Sequence, residues 1–305
     1  MLLRLALALQ ASGYAFTTVT PATHARVNAR PENAWARSPE DVFGWSRPFR
    51  AGLLAPHLFK ALRDADVLSR HGEGWVARVR ASTLRGRLFL HSAYPTTAAD
   101  AIFFGPDTYR FADAIARHLA GEVRVCRAVD IGCGAGPGAV VVALERPHAE
   151  VLAVDINATA LRYTAVNASV SGAARIVARR SDLLNRVDGE FDLIVANPPY
   201  LVDAHERTYR HGGGSLGEGL SLAIAGLARA RLAPGGTLLL YTGVAIVGGI
   251  DRFRAAAAPL LDAAGLVWHY QELDPDVFGE ELGESAYAAA DRIAAVLLTA
   301  RKAAA

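Results

Sequence analysis

The chain has 305 residues, 52% of them hydrophobic, and a formal net charge of +2. Its length exceeds the usual single domain, so one large and one small unit are expected, with ample apolar content for a core. The two cysteines, Cys126 and Cys133, make neither a disulfide framework nor a zinc pattern, a reducing cytoplasmic setting fits them, and no stretch approaches a membrane span.

Residues 1–9 open with an apolar run, but the charged n-region of a signal peptide is almost absent and Arg4 interrupts the run. An amphipathic core helix is the expectation. Residues 20–50 read as irregular. Their aromatics Trp35, Phe43, Trp45 and Phe49 can stack on bases or pack this front unit onto its neighbour. Apolar spacing predicts a helix over residues 53–68, broken by Gly72-Glu73-Gly74. Residues 75–79 and 88–91 read as short strands with Arg85-Gly86-Arg87 at the turn between them. Helix followed by hairpin suggests a winged-helix shape for an accessory, substrate-recognition domain over residues 1–98. Residues 1–100 hold 13 Arg or Lys against 7 Asp or Glu, and residues 101–305 hold 19 against 23. A basic front half suits an acidic partner such as RNA or the ribosome. With no run of consecutive basic residues, it reads equally as solvated surface.

Asp107 is expected to cap a helix over residues 109–119. The run Val129-Asp130-Ile131-Gly132-Cys133-Gly134-Ala135-Gly136-Pro137-Gly138 then reads as strand and glycine loop, with a helix over residues 139–144. Gly132, Gly134 and Gly136 let backbone approach a ligand without a Cβ in the way. A lone loop of this kind serves nucleotide sites of several classes. Residues 151–156 form a second buried strand ending in Asp155-Ile156. An acid there can take both hydroxyls of a ribose, or cap the next helix, residues 158–170. A third strand over residues 175–178 leads to Ser181-Asp182-Leu183-Leu184. Asp182 can accept from an adenine amino group while the neighbouring N–H of Leu183 meets a ring nitrogen; otherwise it is a solvated loop acid.

Residues 191–196 form an apolar strand that runs into Asn197-Pro198-Pro199-Tyr200. Neither proline can donate to a sheet ladder, so the strand ends in a stiff turn. The carboxyl end of a buried strand is where open α/β sheets place ligands. Asn197 offers an amide oxygen, Pro198 a backbone carbonyl and Tyr200 a ring. Two acceptors beside an aromatic face suit a flat substrate carrying an NH2 group, though the tetrapeptide alone reads equally as an ordinary strand-ending turn. Residues 203–219 are polar and glycine-rich, which marks a functional loop or lid. His205 and His211 within it are poor evidence for a metal, and none is expected. A helix over residues 215–232, a Pro234-Gly235-Gly236 turn, a strand over 237–241 and a helix over 251–263 follow. Strands over residues 266–272 and 293–299 close the chain around an acidic segment, residues 273–291.

The glycine loop, Asp155 with Ala160-Leu161 and Asn167-Ala168 behind it, Asp182, and Asn197-Pro198-Pro199-Tyr200 resemble, in order and spacing, the class I S-adenosylmethionine-dependent methyltransferases. The resemblance covers roughly residues 100–300. Within that class it is strongest to the HemK-type glutamine N5-methyltransferases and their relatives acting on exocyclic amines of nucleic acids. It implies an α/β, Rossmann-like seven-stranded sheet, mostly parallel with one antiparallel strand, over residues 99–305. It implies S-adenosylmethionine as cofactor, held by Asp130, Gly132, Gly134, Gly136, Asp155, Ile156, Asp182, Leu183 and Asn197. Asn197, Pro198 and Tyr200 become the groups that hold the acceptor nitrogen, and Phe103 or Phe104 is expected to cover the cofactor.

Glutamine and adenine enzymes share the Asn-Pro-Pro-Tyr turn. The leading reading is therefore transfer to a protein glutamine, with the translation machinery as partner. The alternatives are an RNA or DNA amine and a small metabolite. A dehydrogenase fits less well, because Gly136 follows Gly134 by two residues where the dinucleotide fingerprint spaces them by three. Two departures stand out. HemK-type relatives carry a small helical bundle in front, and they often have an arginine beside the proline where this chain has Gly105-Pro106.

Overall fold

The computed structural model describes residues 1–121, 123–203, 207 and 209–304; His205 lies outside them. In the front part, α1 (Leu2–Ala11), α2 (Pro21–Asn28), α3 (Pro39–Phe43) and α4 (Pro56–Asp64) precede two hairpins, β1 (Leu68–His71) with β2 (Gly74–Ala77) and β3 (Val79–Leu84) with β4 (Arg87–Ser92). The helix expected over residues 53–68 is thus only nine residues long, and the chain leaves it through a left-handed Asp66 (φ 54°). Gly72 and Glu73, expected only to break that helix, form a hairpin turn, so the Trp75 strand pairs backwards with Leu68–His71 and not with residues 88–91. The second hairpin closes on Arg85 and Gly86, both with positive φ (49° and 73°), the geometry of a tight two-residue turn whose twist suits its strands.

The larger part alternates strand and helix: α5 (Pro106–Leu119), β5 (Arg127–Ile131), α6 (Pro137–Glu145), β6 (Glu150–Asp155), α7 (Ala158–Val170), β7 (Val177–Arg180), β8 (Phe191–Ala196), α8 (Gly219–Arg231), β9 (Leu232–Val247), β10 (Ile250–Asp251), α9 (Arg252–Ala263), β11 (Val267–Asp274) and β12 (Arg292–Arg301). The main sheet has the order β11-β12-β9-β8-β5-β6-β7, with the two-residue β10 paired on β9. β7, β6, β5, β8 and β9 are parallel, and β12 runs antiparallel to both its neighbours. This is the expected seven-stranded arrangement with one reversed strand. Pro234-Gly235-Gly236 lies within β9 as an irregularity opposite the Phe191–Leu193 step.

Both faces of the central strands are covered, which is why they read as continuous apolar runs. Along β8, Leu193 and Val195 enter the core on the α5–α6–α7 side, while Ile194 and Ala196 enter the core under α8 and α9. The front part packs only on the first face: Leu5, Leu9, Leu62 and Leu90 share one core with Phe111, Val140 and Tyr163. Phe43 and Phe49 are fully buried there, and Trp45 stands edge-on to Phe16 at 5.4 Å; these aromatics pack and are not laid out as a base-stacking face. α1 buries Leu2, Leu5, Ala6 and Leu9 against α4 and α7. Among the described residues no helix is long and apolar enough to cross a membrane.

Candidate active site

The chain order changes direction between β5 and β8: from β5 the sheet grows one way through β6 and β7, and the other way through β8 and β9. A crevice opens at the carboxyl ends of strands at such a switch point. Here it is a cavity of about 600 Å³, a size suited to a small-molecule ligand. The ends of β5, β6 and β8 bring Asp130, Asp155 and Asn197 to its wall.

The glycine loop forms one side. Gly132 and Gly134 have φ of +68° and +55°, and a Cβ built on Gly132 would meet nothing within 4 Å, so the backbone lies open to the cavity. Gly134 donates its N–H to Asp155 Oδ2 at 3.0 Å, and Asn157 donates to Asp155 Oδ1 at 2.9 Å. Asp155 therefore does not cap α7; Asn157 does, accepting from the Thr159 N–H. Burial raises the Asp155 carboxyl above the usual carboxylate range. Asp130 accepts from the Ala139 N–H at 2.8 Å, and burial pushes it up to about 7. Gly136 is not in the cavity wall; it starts α6 with φ +81°, and a Cβ there would stand 2.9 Å from Thr164. Its smallness serves the packing of the loop on α7.

Ile156, 49% exposed although large and apolar, lines the cavity beside Asp155. Asp182 and Leu183, just after the neighbouring strand β7, line it too. Leu183 has φ +46°, an unusual conformation for a branched residue that turns its backbone at the site.

At the end of β8, Asn197 Oδ1 is buried and has no hydrogen-bond partner. A buried acceptor left alone costs about 1–3 kcal/mol, and among the described residues of the cavity wall it is the one side-chain acceptor so left. No N–H of the described residues donates to the Pro198 carbonyl beside it. Tyr200 lines the cavity but is only 8% exposed. Its ring lies on the backbone of Gly243 and meets the edge of Phe278 at 5.9 Å. The glycine-rich stretch expected as a lid wraps this turn closely: a Cβ on Gly217 would stand 2.1 Å from the Tyr200 carbonyl. His211 bridges to Leu201, and Arg207 and Arg210 line the cavity, Arg210 paired with Glu281 of the acidic segment.

Residues 110–242 match the family model described as "Methyltransferase small domain". The chain is 40% identical to the release factor glutamine methyltransferase of Xylella fastidiosa over 154 residues, 46% of this chain and 53% of that relative, so it spans about half of that relative's length. It is 36% identical to the release factor glutamine methyltransferase of Bordetella pertussis over 195 residues, 60% of this chain and 68% of that one. The chain belongs to the release factor glutamine methyltransferase family. Its fold is also that of a solved S-adenosylmethionine-dependent methyltransferase from Agrobacterium tumefaciens (TM-score 0.51, 17% identity, covering 84% of this chain and 76% of that one).

In this member of the glutamine methyltransferase family, the sequence reading missed several wall residues. Asp107 is not a cap: α5 begins at Pro106, Gly105 precedes it, and the Gly105 N–H donates to Thr108 Oγ1 at 3.2 Å. Asp107 is instead buried in the cavity wall, where the Tyr241 hydroxyl donates to it at 2.6 Å. It shares the buried face of α5 with Phe111 and Ile115. Of the two covering phenylalanines, Phe103 lines the cavity and stacks on Tyr209 at 6.0 Å, while Phe104 is buried against His91. The front part contributes Pro21, Ala22 and Ala25 of α2 and residues 94–97, which no local pattern announced.

Proposed function

We propose that the chain is an S-adenosylmethionine-dependent N-methyltransferase acting on the side-chain amide of a glutamine in a protein of the translation machinery, a release factor, in the cytoplasm. One observation carries the reading beyond family membership: the unpartnered Asn197 Oδ1 next to the Pro198 carbonyl. Two acceptors side by side match the two N–H groups of a primary amide.

The wall fits the cofactor. The open backbone of Gly132 and Gly134 receives its methionine end, Asp155 takes ribose hydroxyls with Ile156 against the ring, and Asp182 with the Leu183 N–H takes the adenine edge. Bound S-adenosylmethionine supplies a methyl carbon made electrophilic by its sulfonium. What remains for the protein is to hold a weak nucleophile, whose lone pair is delocalised into the amide, in line with that carbon. Positioning of this kind is worth up to about 7–11 kcal/mol. Asn197 and the Pro198 carbonyl orient the nitrogen and favour the positive charge that grows on it. No strong base is required, because the nitrogen becomes acidic as it is alkylated. The accessory domain, residues 1–98, completes the acceptor side of the cavity through α2 and residues 94–97.

The test is transfer of labelled methyl into a purified release factor, with loss of label when its acceptor glutamine is replaced. Asn197→Ala is expected to bind the cofactor with nearly unchanged affinity by calorimetry and to lose turnover. Full turnover in that variant would remove Asn197 from the reaction. Label found in RNA or in a small molecule, with none in protein, would overturn the substrate assignment.

A further inference from the structure

Asp107 of α5 faces Tyr241 of β9 and Tyr200 of the Asn197-Pro198-Pro199-Tyr200 turn. Tyr241 of β9 donates to its Oδ1 at 2.6 Å, the Tyr200 hydroxyl faces the same carboxyl closely enough to interact with it, and Arg110 of its own helix approaches Oδ1 at 3.4 Å. Arg110 reaches on to Asp274 at the end of β11. Gly243 beneath and Phe278 at the edge close the other sides of the Tyr200 ring. A buried carboxyl serves stability poorly unless the groups around it need holding. Here two tyrosine hydroxyls converge on one carboxyl, which lines the same cavity as Asn197 and Pro198.

We propose that Asp107 is a positioning residue for methyl transfer: by accepting from the Tyr200 and Tyr241 hydroxyls it locks the Tyr200 ring, and through it the turn that orients the acceptor nitrogen. This rests on the methyltransferase reading above. The carboxylate form is the competent one, since it alone accepts from both hydroxyls without presenting a proton of its own. The groups facing it are Tyr200, Tyr241 and Arg110, with Asp274 behind Arg110. Burial holds its carboxyl above the usual range.

Asp107→Asn keeps the shape and removes the charge. Loss of a hydrogen bond to a charged group predicts a fall in kcat of about 10- to 100-fold, with cofactor affinity by calorimetry within about twofold of the parent. Turnover of the parent is expected to decline toward acid above the ordinary carboxylate range, and this limb is expected to vanish in Asp107→Asn. Tyr200→Phe is expected to cost no more in the Asp107→Asn background than it leaves uncompensated, so the two effects are far from additive. Additive effects, or an unchanged kcat, overturn the proposal. A readout independent of substrate is the fluorine resonance of fluorotyrosine at position 200, assigned by its loss in Tyr200→Phe. It should titrate with Asp107 in the parent and be pH-independent in Asp107→Asn; an identical titration in both overturns the proposal even if the release factor accepts no methyl group, an outcome that by itself would defeat only the substrate reading.

Discussion

A Cβ added at Gly243 would stand 2.4 Å from the Tyr200 ring, closer than side-chain atoms approach one another. Gly243→Ala is therefore expected to displace that ring, costing about 1–3 kcal/mol of stability as overpacked cores do and lowering turnover; urea unfolding and the transfer assay measure the two effects. Asp155 has a different task. It holds the Gly134 N–H in the free protein and has a carboxylate to offer a ribose. Asp155→Ala is expected to weaken cofactor binding by roughly 1.5–3 kcal/mol, the range for hydrogen bonds to a charged group, which calorimetry reads as roughly a 10- to 150-fold rise in Kd. Equal affinity would remove Asp155 from the ribose. Asn197 and Asp155 were legible because each ends an apolar run. Asp107 was not, because an acid just after a proline has the local signature of a helix start, and only burial against Tyr241 distinguishes a buried acceptor from a cap.

α7 ties the front part to the glycine loop. Asn167 is fully buried on it, accepts from the Leu90 N–H of β4 at 2.8 Å, and donates to the Leu90 carbonyl and the Ala135 carbonyl, both at 2.9 Å. One side chain thus satisfies three backbone groups from two elements. Asn167→Ala leaves them buried and unpaired, and since each such group costs about 1–3 kcal/mol, a loss of at least about 2 kcal/mol in denaturant unfolding is expected, with weaker cofactor binding because the loop loses its anchor. The helical and strand periodicities placed the alternation of the larger part, most element ends falling within three residues, but α8 starts four residues later than expected and β9 extends five and six residues beyond the two ends of the expected strand. The first front hairpin was missed because Gly72-Glu73 can stop a helix or turn a hairpin, and the choice depends on Leu68 to His71 finding β2 as a partner; the turn expected at Arg85-Gly86-Arg87 is where the second hairpin closes.

Taken whole, the fold carries opposing pH dependences. His24 is buried, gives its Nε2 to the Trp45 carbonyl at 2.8 Å, and burial lowers it to about 4. It is neutral in the fold and charges first in the unfolded chain, so its contribution to stability is present above about pH 6.5 and is lost as pH falls to about 4. Asp130 behaves oppositely: raised from 3.8 to about 7, it contributes fully below pH 3.8, and this contribution is lost as pH rises through about 7. Thermal unfolding across pH 4–7 should show the parent losing stability relative to Asp130→Asn as pH rises, and a flat difference would contradict the burial of that carboxyl. The strand ends, the glycine loop and the Asn-Pro-Pro-Tyr turn are short-range patterns, so the amino-acid order alone settled the sheet and one half of the cavity. The other half comes from α2, residues 94–97, Asp107 and Glu281, which lie far apart in the chain; they meet only because apolar residues along the front part share one core with α5, α6 and α7, and long-range burial of that kind leaves no mark in any local window of sequence.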